Sequence, residues 1–173
     1  GGNIVGVIGV AQDVTEVREQ EKKTLANARE LRLFVDTANA PIFGIDVEGR
    51  VNEWNAKTAS ITGFSKTDAM GLPMVTSFIA PDLRESVKIV LDNALKGDET
   101  SNYDLAFRTK SGEILSLLVN ASTRRDVGGN IVGVIGVAQD VTEVREQEKK
   151  TLANARELRL FVDTANAPIF GID

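Results

Sequence analysis

Residues 13–38 read DVTEVREQEKKTLANARELRLFVDTA, and the same letters return at residues 140–165. The identity continues in both directions, so that residues 1–46 and 128–173 are the same 46 residues, offset by 127. The chain therefore holds one full unit and the beginning of the next. Two interpretations stay open: a tandem array of nearly identical modules, and an overlapping or circularly permuted arrangement of one module, natural or engineered.

The repeated stretch predicts a long connecting helix. Asp13 followed by Glu16 matches a capping box at its start, and Asn39 ahead of Pro41 matches a stop signal at its end. At about 1.5 Å per residue such a helix is roughly 37 Å long, which exceeds a small domain. Eight residues, which we call the seam, recur along this helix at alternating spacings of three and four. This pattern predicts either a parallel coiled coil between two chains or packing of the helix on its own sheet. The seam residues are Val14, Val17, Glu21, Thr24, Ala28, Leu31, Val35 and Ala38.

The composition excludes several kinds of functional site. The chain has no cysteine, which rules out disulfides, thiolate metal sites, cysteine nucleophiles and thioether-linked chromophores. It has no histidine, the commonest metal ligand, haem ligand and general base, so we predict no metal site. A net charge of −5 argues against nucleic acid as a partner. No apolar run has membrane-spanning length and no signal peptide opens the chain, so we expect a cytoplasmic protein without a membrane partner.

The unit between the repeats predicts an α+β fold. Ile4–Ala11 and its copy Ile131–Ala138 are β-branched runs with two apolar faces, which predicts a strand whose outer face is also covered. The remaining segments are expected to form a hairpin, a set of short helices and two more strands, over residues 41–54, 55–97, 102–108 and 114–123. The predicted order is strand, strand, short helices, three strands and the connecting helix.

Six short motifs follow one another along this unit: Ala40–Asp46, Gly49–Asn55, Thr62–Ser65, Gly71, Lys110–Glu113 and Asp140–Glu143. In this order and spacing they resemble PAS domains, and the resemblance covers about Leu31 to Glu143. The wording of residues 41–63 is similar to the PAS repeats of plant-type phytochromes, which makes the chain photoreceptor-like. The resemblance implies a five-stranded antiparallel sheet with short helices on one face, enclosing a small pocket used for sensing, dimerisation or signal relay.

The repeat divides the predicted unit into five segments. They are the duplicated final strand at 1–13, the connecting helix at 14–39, the PAS core at 40–140, a second copy of the helix at 141–166 and a second copy of the first strand at 167–173. Two copies of the final strand compete for one place beside Ile114–Thr123. Loop closure favours Ile131–Ala138, because a tight turn tethers it, and leaves Ile4–Ala11 as a surplus strand. Strand exchange between chains is the alternative.

The cofactors known in PAS domains do not suit these residues. The flavin-binding LOV members of the family that this chain resembles need a cysteine in G-x-N-C, and the corresponding stretch here is Gly71-Leu72-Pro73-Met74. Haem-binding members need an axial histidine, and this chain has none. We therefore predict no cofactor. Candidate pocket residues, which more simply fill a core, are Phe43, Ile61, Phe64, Met74, Phe78, Ile79 and Leu105. Possible polar handles are Asn52, Asn55 and Asn120, with Asn55 more simply a helix cap.

No enzymatic activity is expected, because the sequence lacks a carboxylate pair beside a base or nucleophile and lacks a phosphate-binding glycine loop. We predict a PAS sensory or interaction module of a multidomain signalling protein, which dimerises and relays a signal through its flanking helix. The alternatives are a small-molecule receptor with a noncovalent ligand and a structural spacer in a tandem array. The predicted interaction residues are Val14, Val17, Leu31, Val35, Ile131 and Val134.

Overall fold

A computed structural model describes residues 1–167 of the chain as two compact units, one from Gly1 to Asp36 and one that begins at Thr37. The first unit consists of residues 1–14, which form neither helix nor strand, followed by helix α1 (Thr15–Thr37). The prediction of a strand at Ile4–Ala11 is therefore wrong for this structure. A strand needs a ladder of hydrogen bonds, and the other copy of the same residues occupies the matching place in the sheet.

The second unit is built on an antiparallel sheet of five strands in the order β2-β1-β5-β4-β3. The strands are β1 (Ile42–Ile45), β2 (Val51–Trp54), β3 (Thr100–Arg108), β4 (Ile114–Arg125) and β5 (Ile131–Asp140). Between β2 and β3 the chain forms α2 (Ala56–Thr62), α3 (Lys66–Ala69), α4 (Met74–Phe78), a 3-10 turn (Pro81–Leu83) and α5 (Arg84–Ala94), and β5 is followed by α6 (Thr142–Ala165). The predicted α+β class and five-stranded antiparallel sheet are confirmed.

β5 lies in the middle of the sheet. Its residues pair with β4 from Leu117↔Asp140 to Arg125↔Ile131, and with β1 from Ile42↔Val137 to Ile45↔Val134. The second copy of the repeated strand thus joins the β1–β2 hairpin to the β3–β4 hairpin. The predicted strand at 167–173 lies, apart from Ala167, outside the described residues.

α6 begins without the predicted capping box. Asp140 pairs with Leu117 of β4, and the N-cap position is Val141, which makes no side-chain cap bond. The carboxylate of Asp140 instead accepts a hydrogen bond from the N–H of Thr142 at 3.0 Å. α1 begins at the equivalent residue, Thr15, and the carboxylate of Asp13 accepts a hydrogen bond from its N–H at 2.9 Å, although residues 1–14 form no strand. The start of the helix therefore follows the local sequence and not pairing in the sheet.

Three fully buried aromatic rings form the centre of the core. The ring centroid of Trp54 lies 5.1 Å from that of Phe78 and 6.0 Å from that of Phe107, and the rings of Phe78 and Phe107 stack at 5.5 Å. The indole N–H of Trp54 donates to the carbonyl oxygen of Phe64 at 3.0 Å, so its one polar group is satisfied. The cluster ties the sheet to α4, and each ring contributes about 1.5–3 kcal/mol by burial.

Two hairpins share one turn design. Asp46 and Asp126 each accept hydrogen bonds through one side-chain oxygen from the backbone N–H groups two and four residues later, at 2.8–2.9 Å. Gly49 and Gly129 occupy the fourth position of these turns at φ 79° and 83°. Only glycine adopts this left-handed backbone without steric cost, so the turn residues fix the register of both hairpins.

Asn55 anchors the first strand to the helical layer. Its side chain is fully buried, and Oδ1 accepts from the N–H of Ile42 at 3.0 Å and from the N–H and hydroxyl of Thr58 at 2.9 and 2.7 Å. Its Nδ2 donates to the carbonyl oxygen of Ala40 at 2.9 Å. One side chain therefore caps α2, as predicted, and also holds the start of β1.

We predict that Asn55→Ala lowers the free energy of unfolding by about 2–4 kcal/mol, because it removes a cap and takes away the hydrogen-bond partner of half-buried backbone groups of Ile42 and Ala40. Asn120→Ala is the matched control. Asn120 is exposed and accepts one hydrogen bond, from the N–H of Asn102 at 2.8 Å, so its loss should cost about 0.5–1 kcal/mol. Urea unfolding curves measure both values, and equal losses would contradict the anchoring role of Asn55.

An exposed ion pair links α3 to the turn between β3 and β4. The Nζ of Lys110 lies 3.0 Å from the Oδ2 of Asp68, and Asp68 also forms a capping box with Ser65 at the start of α3. The hydrogen bond from Lys110, followed by that from Ser65, lowers the pKa of the Asp68 carboxyl below its ordinary value. A carboxyl with a lowered pKa stabilises the fold above its unfolded pKa of about 3.9, and the contribution is lost as pH falls through the folded pKa.

We predict that Lys110→Met raises the pKa of Asp68 toward the ordinary value, since the substitution removes its largest cause of lowering. NMR titration of the aspartate carboxyl signals between about pH 2 and 6 measures the change. Asp126 serves as an internal control, because its pKa is lowered by Asn130 and should stay lowered in the same sample. A parallel rise of both values, or no rise at Asp68, would contradict the assignment.

Candidate functional site

A small apolar cavity lies between the inner face of the sheet and helices α4 and α5. Its volume is about 40 Å³, room for a few water molecules at about 10–15 Å³ each, but a water molecule there would lack polar partners. The lining residues are Phe43, Gly44, Ile45, Met74, Ile79, Val87, Val90, Leu91, Tyr103, Leu105, Val119, Ala121, Val134 and Gly136. The cavity suits an uncharged apolar group and offers nothing that would bind a charge.

The structure brings together some of the predicted pocket residues and separates others. Phe43, Met74, Ile79 and Leu105 line the cavity. The remaining candidates Ile61, Phe64 and Phe78 are not among its lining residues. Phe64 packs edge-on against Phe78 with ring centroids 5.0 Å apart, Phe78 belongs to the aromatic cluster, and Ile61 is half-buried against the core.

Several lining residues were missed from the sequence. Val87 and Leu91 belong to the apolar stripe of α5, while Val119 and Ala121 are alternate residues of β4. Both periodicities place these residues on an inward face, but they give no sign of which inward residues leave a gap. Gly136 shows one cause of the shape, because a Cβ there would lie 3.1 Å from the ring of Phe43.

The predicted interaction residues have different positions. Val134 is 2% exposed and lines the cavity, so its assignment to an outer contact is corrected: the pairing with Ile45 places it on the inner face. Ile131 is half-buried at the start of β5. On the helix, Val14, Val17 and Leu31 are exposed and Val35 is half-buried, so α1 presents most of its seam to solvent. The outer face of the sheet carries Ile42, Leu118, Ile135 and Val137, half-buried or exposed.

None of the three predicted polar handles faces the cavity. The side chain of Asn55 forms hydrogen bonds with the start of α2 and with the segment that leads into β1. Asn120 is exposed on β4, opposite Val137. The Oδ1 of Asn52 is buried without a hydrogen-bond partner among the described residues, and Asn52 is not among the residues that line the cavity. Specific polar recognition of a ligand in this cavity therefore has no support from these side chains.

The junction between β5 and α6 is tied to the sheet by side chains. The hydroxyl of Thr142 accepts a hydrogen bond from the N–H of Ser116 in β4 at 2.9 Å, and the N–H of Val141 donates to the carbonyl oxygen of Ser116 at 2.9 Å. Arg145, one turn into the helix, forms a salt bridge with Asp104 of β3. The first turn of α6 is thus fixed to two strands, and a displacement of β5 against β4 would act directly on the helix.

Two kinds of site are not found in the part of the chain that the structure describes. Over residues 1–167, no group of three or more His, Cys, Asp or Glu side chains could hold a metal ion. Over the same range, no helix combines the length and apolar character needed to cross a membrane.

Comparison with known proteins gives the family. A family model for the PAS fold matches residues 29–141. Phytochrome B of Nicotiana tabacum is 39% identical over 153 residues, which are 84% of this chain and 14% of that protein. Phytochrome 1 of Selaginella martensii is 38% identical over 160 residues, 88% of this chain and 14% of that protein. The chain thus spans about one seventh of the length of these relatives.

Solved structures of similar fold show the same architecture. The PAS domain of a Colwellia psychrerythraea protein superposes with a TM-score of 0.61 at 20% identity and covers 68% of this chain and 98% of that one. The PAS domain of an HTR-like protein from Haloarcula marismortui gives 0.60 at 15% identity, with 71% and 98% covered. With the family match over most of the chain and the five-stranded sheet, these likenesses establish that the chain belongs to the PAS family.

Proposed function

We propose that this chain is a PAS sensory and interaction module of a multidomain signalling protein, which self-associates and relays conformational change into α6. The observation that carries the proposal is the junction at Asp140–Thr142, where the central strand continues into a helix held to β4 and β3. The phytochrome relatives support a signalling context. The proposed role is non-catalytic. The five-segment division of the chain belongs to this proposal, with residues 1–13 as a copy of the final strand that is not paired in this structure. The cytoplasmic location of the protein stays a prediction.

The relay would act through backbone displacement. β5 lines the cavity with Val134 and Gly136, and the same strand ends at Asp140 beside the helix. A group that enters or reshapes the cavity shifts β5 against β4. Thr142 and Val141 contact Ser116 on β4, so the shift changes the hydrogen bonds that hold the first helical turn. This coupling needs two arrangements of the junction that differ in free energy by a few kcal/mol.

We predict that Thr142→Val removes the hydroxyl that Ser116 contacts, speeds hydrogen exchange at the Ser116 amide and lowers the free energy of unfolding by about 1–2 kcal/mol. Thr15→Val is the matched control, because residues 13–38 repeat the same local sequence and Thr15 lies in the first unit. It should leave Ser116 unchanged.

The relay itself is tested by combining this substitution with Val119→Ala, which enlarges the cavity. The readout is hydrogen exchange of the Arg145 amide, which donates to the carbonyl oxygen of Val141 at 2.9 Å. Val119→Ala should change this exchange rate several-fold more when residue 142 is the wild-type threonine than when it is valine. Additive effects would mean that the cavity and α6 are not coupled through this contact.

The proposed self-association uses strand edges and the helical seam. Leu31 of α1 and its copy Leu158 of α6 lie on the seam and are both 65% exposed. Leu33 and its copy Leu160 lie off the seam with similar exposure, 62% and 68%. Exposed leucines at seam spacing are typical of a helix that packs against a partner, which here would be a second copy of the chain.

We predict that the wild-type chain forms a dimer that the double substitution Leu31→Glu with Leu158→Glu dissociates, since glutamates on a seam repel each other across the contact. Leu33→Glu with Leu160→Glu should leave the dimer intact. Native mass spectrometry measures both and also detects any retained small molecule. Added mass would favour the alternative of a small-molecule receptor for an uncharged apolar ligand, for which the apolar cavity is the supporting observation. Equal behaviour of the two double variants would contradict the seam.

A further inference from the structure

The first unit contains the first copy of the strand sequence whose second copy, β5, joins the two hairpins of the sheet. Ile4–Ala11 has the sequence of Ile131–Ala138, and within the described structure it forms neither helix nor strand. Its five large apolar side chains, from Ile4 to Val10, are 85–98% exposed. An exposed β-branched run with free backbone hydrogen-bonding groups tends to pair with another strand.

The place that β5 fills would accept the first copy without any change of side chain. Val134 packs inside the sheet, and its counterpart 127 residues earlier is Val7. A Cβ at Gly133 would lie 2.0 Å from the carbonyl oxygen of Ile45, so the place demands glycine there, and the first copy supplies Gly6. Each close approach that β5 makes is available to the first copy because the two sequences are identical.

Helix α1 prevents the first copy from entering its own sheet. The carbonyl oxygen of Pro41 accepts a hydrogen bond from the N–H of Ala138 at 2.8 Å. The start of β1 therefore lies beside the C-terminal end of β5. If the first copy took the place of β5, the N-terminal end of α1 would lie beside the start of β1. The C-terminal end of α1 would also have to lie near the start of β1, because the connection from Thr37 to Pro41 reaches only about 14 Å. The 23-residue helix is about 33 Å long. The two ends of a straight helix of this length cannot both lie beside the start of β1. Insertion of the first copy into its own sheet would therefore require α1 to break.

We propose that Ile4–Ala11 of one chain takes the place of β5 in a second copy of this chain. The proposal deepens the strand-edge self-association proposed above and does not depend on the helical seam. In the symmetric form, each of two chains inserts its first copy into the other, and two antiparallel α1 helices span about 33 Å between the sheets. The parallel coiled coil considered from the sequence has a different geometry.

The exchange is reversible and depends on concentration. It replaces one strand by an identical one, so the contacts in the sheet are unchanged and the difference lies in the tether. The tight turn at Asp126–Asn130 gives β5 an effective concentration in the millimolar range, which exceeds that of a second chain in dilute solution. Exchange therefore becomes dominant when β5 is weakened or the protein is concentrated.

The duplicated sequence provides a matched test with Val134→Asp, Val7→Asp and the variant that carries both. Val134→Asp disables β5 by placing a carboxylate in the core, and leaves the first copy intact. We expect it to remain folded by circular dichroism. By size-exclusion chromatography with light scattering it should be dimeric or larger even when it also carries Leu31→Glu and Leu158→Glu, which remove the seam dimer and leave the chain with intact β5 monomeric. Val7→Asp should match the wild type, and the double variant should be unfolded, because neither copy can complete the sheet.

Each other result overturns the proposal. A folded monomer of Val134→Asp would show closure within one chain. Equal unfolding of Val134→Asp and the double variant at all concentrations would show that the first copy cannot enter the sheet. A dimer that is the same in all folded variants and is lost with Leu31→Glu and Leu158→Glu would leave the helical seam as the contact and remove strand exchange.

A cysteine pair tests the register in a chain that has no cysteine of its own. Asn120 lies opposite Val137, and the counterpart of Val137 in the first copy is Val10. Asn120→Cys with Val137→Cys should give a disulfide within a chain and shows that the geometry permits the bond. Asn120→Cys with Val10→Cys, added to the Val134→Asp chain, should give disulfide-linked dimers under oxidation. Failure to link, when the control pair links, would overturn the proposed register.

Discussion

The double pairing of β5 is the interaction on which the rest of the domain depends. The β1–β2 hairpin and the β3–β4 hairpin are each local, but they do not touch each other in the sheet except through β5, which hydrogen-bonds to β1 on one edge and to β4 on the other. Among residues 1–167, β5 is also the last strand in chain order. The sheet is therefore incomplete until residues about ninety positions apart have met, and formation of the β1–β5 pair carries the largest loop-closure cost among the strand pairs.

The same strand connects the interior of the domain with its exit. Val134 and Gly136 face the cavity, and α6 begins at Thr142, six residues after Gly136. The interior contacts are apolar and weakly directional, whereas the exit is held by directional hydrogen bonds from Ser116 to Thr142 and by the Arg145–Asp104 salt bridge. Weakly directional contacts at the cavity and directional contacts at the start of α6 are thus joined by one strand. This arrangement favours mechanical coupling between the cavity and α6, which is the physical basis of the proposed relay.

Features governed by short-range chemistry were predictable from the sequence. The cap at Asn55, the capping box of Ser65 with Asp68 and the glycine turn at Gly49 each involve residues within a few positions, and the structure contains all three. The predicted helix over 14–39 is observed as Thr15–Thr37.

Features that depend on distant contacts were not predictable. Ile4–Ala11 has the local sequence of a strand but lacks a ladder partner, and Val134 could not be assigned to a face because apolar residues alternate with other apolar residues along β5. The cavity escaped prediction for a related reason, since periodicity marks inward residues and says nothing about how completely they fill space.

The contrast between Gly133 and Gly6 gives the chain an internal reference state. A Cβ at Gly133 would meet a backbone oxygen at 2.0 Å, whereas a Cβ at Gly6 meets nothing within 4 Å, although the flanking residues are the same in both places. Local sequence, intrinsic propensity and unfolded-state effects are thus held constant between the two positions. In a complete mutational map of this chain, subtracting the first copy from the second would isolate the contribution of tertiary packing, residue by residue, without a separate model peptide.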